Sequence, residues 1–341
     1  MLKLLKSITG FFSSKNTTPL PFDTGYSVDD AIERVIDGIE TKLRLVPAYR
    51  KKIQQEVIVS LEYINRLVEQ IPGPINVSRQ TFVSDPEVRS YFATTDVLQD
   101  TFSCGSELQA FFEQQENSSS KQCCALMCVN KEEKKIMGMT LEGEMIRRDV
   151  PQTAINFFDY KILSPAIDEK DVRSGIKKCI FDGLITYALQ QIVSIKTESR
   201  DLINRRRILH TQLRARQAQG SGLTKLLTQA HLESEQPAEL AAQLKEIEKR
   251  LKNMTGDMDV FSFYLEVIRK IFSQPEKFIR LNVASLRLSD MCIIVDADSA
   301  QPANDVCFTE IEIANVLKRV ITIVRYNRDD INCKKTTALS N

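Results

Sequence analysis

Apolar residues at Ile32, Val35, Ile36, Ile39, Leu43 and Val46 keep a period near 3.6 and predict a helix that starts after Ser27. Pro47 is expected to break or kink it, because proline lacks an N–H and crowds the preceding turn. A second helix is predicted through Ile53, Val57, Leu61, Ile64 and Val68, stopped by the stretch Ile71 to Pro74. Pro86, after Ser84 and Asp85, marks a further helix start, with Glu87 placed for a capping box. Shorter helices are expected over 87–93 and 106–114, so residues 27–118 read as a helical N-terminal domain that follows a linker over 15–26.

The period changes at Cys123. "CCALMCV", Cys123 to Val129, is apolar at successive positions, as a strand buried on both faces would be. "NKEEKK", Asn130 to Lys135, reads as a polar turn, "IMGMTLEGEMIRRDV" as a strand bending at Gly143, and Ala154 to Leu163 as another strand, together a small meander. A second β-rich piece contains "FIRLNVASLRL", "MCIIVD", "CFTEIEI" and "VLKRVITIVRY". Residues 122–165 and 276–327 are expected to combine into one small, mainly antiparallel β domain, followed by a flexible tail over 328–341.

Between the β pieces, residues 168–274 carry a heptad seam. Phe181, Ile185, Ala188, Ile192, Ile195, Ser199, Leu202, Arg206, Leu209, Leu213 and Arg216 are spaced alternately four and three apart. "QGSG", Gln219 to Gly222, interrupts it, and Pro237 suits a helix start. The seam resumes at Leu240, Leu244, Ile247 and Leu251 and runs to Phe272, with Gly256 its weak point. Paired in opposite directions, Leu213 meets Leu240, Leu209 meets Leu244 and Leu202 meets Leu251. The fold class expected is therefore a multidomain α+β chain whose β domain is interrupted by a long antiparallel coiled-coil hairpin.

Charge sharpens the picture at the arm. Residues 196–225 hold eight Lys or Arg against two carboxylates, and residues 233–248 hold five carboxylates against one lysine. A hairpin is expected to set these opposite charges along its edges. The arginines left over are candidates for contact with a partner or with phosphate: Arg205, Arg207, Arg214 and Arg216, together with Lys225 at the tip. No aromatic residue accompanies them, which argues against single-strand recognition by base stacking. At the N-terminus, residues 1–14 form an amphipathic segment. Leu2, Leu4, Leu5, Ile8, Phe11 and Phe12 share one half of a helical wheel and Lys3 and Lys6 the other, the pattern of an in-plane membrane contact. No small-residue cleavage pattern follows it, so a signal peptide is not expected.

A net charge of +1 gives no global electrostatic case for nucleic acid, so any basic site must be local. The eight cysteines include no C-x-x-C pair, and neither histidine lies near a cysteine cluster, so a zinc site and a disulfide framework are both disfavoured. The N-x-S/T matches at Asn16, Asn76, Asn117 and Asn253 are read as chance. "DADSAQPAND" lacks the glycine and glutamate of a calcium loop. Phosphate-loop, dinucleotide and nucleophile-elbow motifs are absent, and Cys104 has no histidine in evident reach. No cofactor or metal is expected. The leading expectation is a cytoplasmic, non-enzymatic interaction or scaffold protein, with membrane association through residues 1–14. It would bind protein partners through the arm or its tip. The alternative is nucleic-acid binding by the basic face from Arg205 to Arg216. A third reading is an enzyme with a cleft between the α and β domains.

Overall fold

The structure is a computed structural model. It describes residues 27–103, 105–114, 120–142, 145–219, 237–255, 259–296, 299 and 301–328. The described residues form nine helices and a six-stranded, mainly antiparallel sheet, an α+β architecture. In chain order the elements are α1 (Val28–Ile39), a 3-10 turn (Thr41–Leu45), α2 (Tyr49–Glu69), β1 (Ile75–Val77), α3 (Arg79–Ser84), α4 (Pro86–Tyr91), α5 (Thr95–Ser103), α6 (Ser106–Glu113), β2 (Gln122–Glu142), β3 (Met145–Ala166), α7 (Glu169–Gln219), α8 (Pro237–Thr255), α9 (Val260–Phe272), β4 (Ile279–Leu288), β5 (Asn304–Ile313) and β6 (Leu317–Asn327).

Local chemistry sets the helix starts. Ser27 Oγ accepts from Asp30 N at 3.1 Å and so caps α1. The α1 helix ends at Ile39, before Pro47, and the apolar pattern continues through the 3-10 turn to bury Leu43 and Val46. Asp85 caps α4, its carboxylate accepting from Glu87 N at 2.9 Å, with Pro86 in the first helical turn. Glu87 thus contributes a backbone N–H there, and the reciprocal capping box lies one helix earlier, between Ser78 and Thr81.

The chain divides into two compact units, one built on Val57–Leu184 and the chain from Gln274 onward, the other on Ile32–Glu56 and Ile185–Ser273. In the first, the strand order is β3-β2-β6-β5-β4, and β1 adds in parallel to β6 at Ile75↔Val324. The segment after β4 joins the two ends of this order. Ile155 N donates to Cys292 O and Ile294 N to Thr153 O, both at 2.8 Å, on the β3 side. Ser289 N donates to Ile293 O and Val295 N to Arg287 O, both at 2.9 Å, on the β4 side. Hydrogen bonding therefore runs round a closed ring among the described strands.

One side of the sheet packs Cys123, Ala125, Met127, Val129, Phe157, Phe308, Val320 and Tyr326 against Val88, Tyr91, Phe92, Phe102 and Leu108 from α4 to α6. Tyr91, Phe157 and Phe308 form a three-ring cluster with centroids 5.2–5.4 Å apart. Cys124, Leu126, Cys128, Ile311, Ile313, Ile321 and Ile323 alternate onto the other side and are also buried, as are Val172, Ile176 and Ile180 at the start of α7. Two glycines allow that helix to lie close. A Cβ on Gly175 would meet Ser164 Cβ at 2.6 Å, and one on Gly183 would clash with Ile313 Cδ1. Arg173 ties the same stretch down by donating to Val68 O at 2.7 Å and Ile71 O at 2.9 Å.

The stretch "NKEEKK" is not a turn. It lies inside β2, which pairs with β3 from Cys124↔Ala166 out to Glu142↔Met145 as one long hairpin in place of the expected meander. Polar residues at every position are stable in a strand when neither face is covered, and Glu132 to Lys135 are exposed. Three register shifts each place the extra residue on β3, and each contains one residue of positive φ: Asp149 (58°), Asp159 (54°) and Ser164 (50°). Arg319 pins the middle one, donating to the Asp159 carboxylate at 2.6 Å and to its carbonyl at 3.1 Å.

In the second unit, Leu209 of α7 shares a hydrophobic cluster with Leu240, Leu244 and Ile247 of α8, and Leu202, Leu213 and Leu251 pack against it. The described part of α8 ends at Thr255, Gly256 lies outside the described residues, and Asp259 caps α9 by accepting from Phe261 N at 3.2 Å. The α9 helix packs against the 3-10 turn, and Tyr264, Leu265, Ile268 and Ile271 are buried.

Candidate functional site

The α7 helix is a single run from Glu169 to Gln219. At 100° per residue, Leu202, Leu209 and Leu213 define the face turned to α8. A second row, Arg200, Ile203, Arg207, His210 and Arg214, keeps the same alternation of three and four residues. Its arginines lie roughly 120–160° round the helix from the seam. At 1.5 Å per residue the row spans about 21 Å. All five residues are exposed, Ile203 by 46%.

The expected pairing of this charge with the acidic leg does not form among the described residues. Arg200, Arg205, Arg207 and Arg214 make no ion pair there. On α8, Glu246 binds Arg250 of its own helix at 3.1 Å. The geometry explains it: Arg200, Arg207 and Arg214 point away from the seam, beyond the reach of a neighbour that packs on it. Elsewhere arginines are neutralised. Arg44 binds Glu33 at 2.7 Å, Arg50 binds Glu33 at 2.8 Å, Arg173 binds Glu169 at 2.7 Å, and Arg269 binds Glu56 at 2.9 Å.

The row ends where a carboxylate appears. Lys196, one step before Arg200, donates to Glu40 Oε2 at 2.6 Å and lies 5.2 Å from the Tyr264 ring centroid. The hydrogen bond from Lys196 holds the Glu40 carboxyl below its ordinary value. A lowered folded-state value means a contribution to stability that is present at neutral pH and lost as pH falls through the carboxylate range. Both groups are partly solvated, so Glu40→Gln is expected to cost roughly 0.5–1 kcal/mol at pH 7 and nothing measurable near pH 2. Urea unfolding of both chains at the two pH values checks this, and an equal cost at both would exclude the ion pair as its cause.

Of the residues predicted from sequence, Arg207 and Arg214 stand in the row. Arg205 is exposed on the other flank of the seam, about 160° from Arg207. Arg216 belongs to the last turn of α7. Lys225 lies outside the described residues, as do Leu2, Leu4, Leu5, Ile8, Phe11 and Phe12. Arg200 and His210 complete the row and were missed. Arg200 lies seven residues before Arg207, and that spacing was the available signal.

Other chemistry is sparse. Burial pushes the thiols of Cys123 and Cys128 up, to about 11 and about 12, which removes thiolate character at neutral pH. No group of three or more His, Cys, Asp or Glu side chains suited to a metal occurs among the described residues. A recess lined by Pro86, Arg89, Ser90, Leu288, Asp290, Cys292 and Val306 holds one carboxylate, and Arg89 pairs with it at 3.3 Å. None of the described helices is long and apolar enough to cross a membrane. Comparison with protein-family models, with curated proteins and with solved structures gives no match.

Proposed function

We propose that this chain is a non-catalytic interaction protein. In this reading α7 and α8 form an antiparallel coiled-coil arm, and the outer row Arg200, Ile203, Arg207, His210 and Arg214 docks an acidic face of a protein partner. The observation that supports it is the set of exposed arginines that have no carboxylate partner among the described residues, on a helix whose opposite face is occupied by α8. Arginine in such a position is kept for planar, bidentate contact with carboxylates. Exposed Ile203 within the row favours a protein surface, since phosphate has no use for an apolar contact.

Nucleic acid is the second reading, because clustered unneutralised arginines also bind phosphate. One triple variant separates the two. Arg200→Gln, Arg207→Gln and Arg214→Gln together should remove a defined set of captured proteins, and the three Arg→Lys changes should restore it only in part. Retention of random-sequence duplex should be weak in wild type and unchanged in the variant. Duplex binding whose log–log salt slope shrinks by about 2.7 in the variant, at about 0.9 per phosphate contact, would move the assignment to nucleic acid. An unchanged set of captured proteins would remove the row from function.

A further inference from the structure

The β2–β3 hairpin continues past the rest of the sheet. β6 leaves β2 at Val129↔Val320, and beyond that point β2 is paired with β3 alone among the described strands. The outer edge of β2 therefore carries backbone N–H and C=O groups without a strand to receive them. Met137 and Met139 are exposed on this ribbon by 72% and 63%, and Ile136 by 37%. The two edges of the ribbon differ. That of β3 is blunted by Pro151, which has no N–H, and by the bulge at Asp149. On β2 there is no proline, and the sequence from Ile136 to Leu141 has no charge. The uncharged stretch from Ile136 to Leu141, beyond the charged residues 131–135, is a short template for another strand.

We propose that this edge pairs antiparallel with the same edge of a second copy of the chain, with Gly138 on the two-fold axis. In that register Met137 stands opposite Met139 of the second copy, Ile136 opposite Thr140, and Lys134 opposite Glu142. Symmetry forms each pair twice, as an isologous contact requires. The charges agree as well: opposite signs meet at 134 and 142, and Lys135 faces Leu141. Moving the register by one residue toward the sheet would set Glu133 against Glu142. This inference is independent of the arm.

The test is sedimentation equilibrium of the full chain over about 1–100 µM, the range that reports a small reversible interface. A dimer is expected. Met137→Lys with Met139→Lys sets lysine against lysine at the centre and should give a monomer throughout the range. Its circular dichroism should be unchanged, since both positions are exposed, and its melting temperature should lose the concentration dependence that a dimer gives wild type. Lys134→Glu should weaken the dimer about tenfold by facing Glu142, and adding Glu142→Lys should restore it. A wild-type monomer at the top of the range overturns the proposal. So does a dimer that survives the methionine changes, which would place association elsewhere, the arm included. A lysine-134 variant that the compensating change fails to rescue overturns the register and with it the self-pairing.

Discussion

Phe308→Ala is expected to cost about 3–5 kcal/mol of folding stability, the range for removing a buried aromatic side chain. Phe308 is fully buried and touches the rings of Tyr91, at 5.4 Å in an edge-on arrangement, and Phe157, at 5.2 Å. Those rings come from β5, α4 and β3, so the cavity would loosen the contact between the helical layer and the sheet at once. Ring pairs of this kind add roughly 0.5–1.5 kcal/mol each beyond the area they bury. Total stability for a domain is about 5–15 kcal/mol, so the change consumes a large share of it. Urea unfolding should show a lower midpoint with an unchanged slope, because the same surface is exposed on unfolding. Phe308→Leu keeps most of the volume and should cost clearly less. A loss below about 1 kcal/mol for the alanine chain would show that the three-ring cluster is not central to the core.

Leu209→Asp should act differently, with a large but local effect. Leu209 is buried with Leu240, Leu244 and Ile247, and only Leu202, Leu213 and Leu251 pack beside them. A carboxylate there would sit among the leucine and isoleucine side chains of the cluster, and burying a charge in apolar surroundings is costly. So small a cluster cannot hold the charge in place, and the two helices are expected to separate around it. Amide hydrogen exchange should lose protection over 202–213 and 240–251 and keep it in β2 and β6, which belong to the other compact unit. Leu209→Ala should give the milder loss of a truncated core leucine, about 2–3 kcal/mol locally. Global unfolding of the aspartate chain would mean that the two units do not stand independently, and full protection would mean that Leu209 does not face α8.

Much of the secondary structure was legible because burial of one face writes a period into the chain. The apolar spacing through Ile32, Val35 and Ile36 marked α1, and the spacing through Ile53, Val57 and Ile64 marked α2. The same reasoning set Leu209 beside Leu244, and those two residues share a cluster. "CCALMCV" read as a doubly buried strand because it is one, with Met127 on one side and Cys128 on the other both covered. The cationic site was legible only in part. Arginine clustering drew attention to Arg205 through Arg216, but the grouping followed proximity in sequence, and the helix instead groups Arg200, Arg207 and Arg214 by their seven-residue spacing.

Tertiary structure decided the rest, because periodicity records that a face is covered and not what covers it. Glu132 to Lys135 of "NKEEKK" are exposed, so as a strand the stretch carries the same composition as a turn. The ring closure depends on Cys292 and Ile294 meeting Ile155 and Thr153, residues more than a hundred positions away, and no local pattern encodes a partner at that distance. The bulges at Asp149, Asp159 and Ser164 answer to the path β3 must take beside β2, not to preferences of those residues alone. Whether the charges of α7 and α8 neutralise one another depended on direction round a helix axis. The sequence supplied a basic stretch in α7 and an acidic one in and before α8, and Arg200, Arg207 and Arg214 lie away from the seam, where no carboxylate of α8 pairs with them.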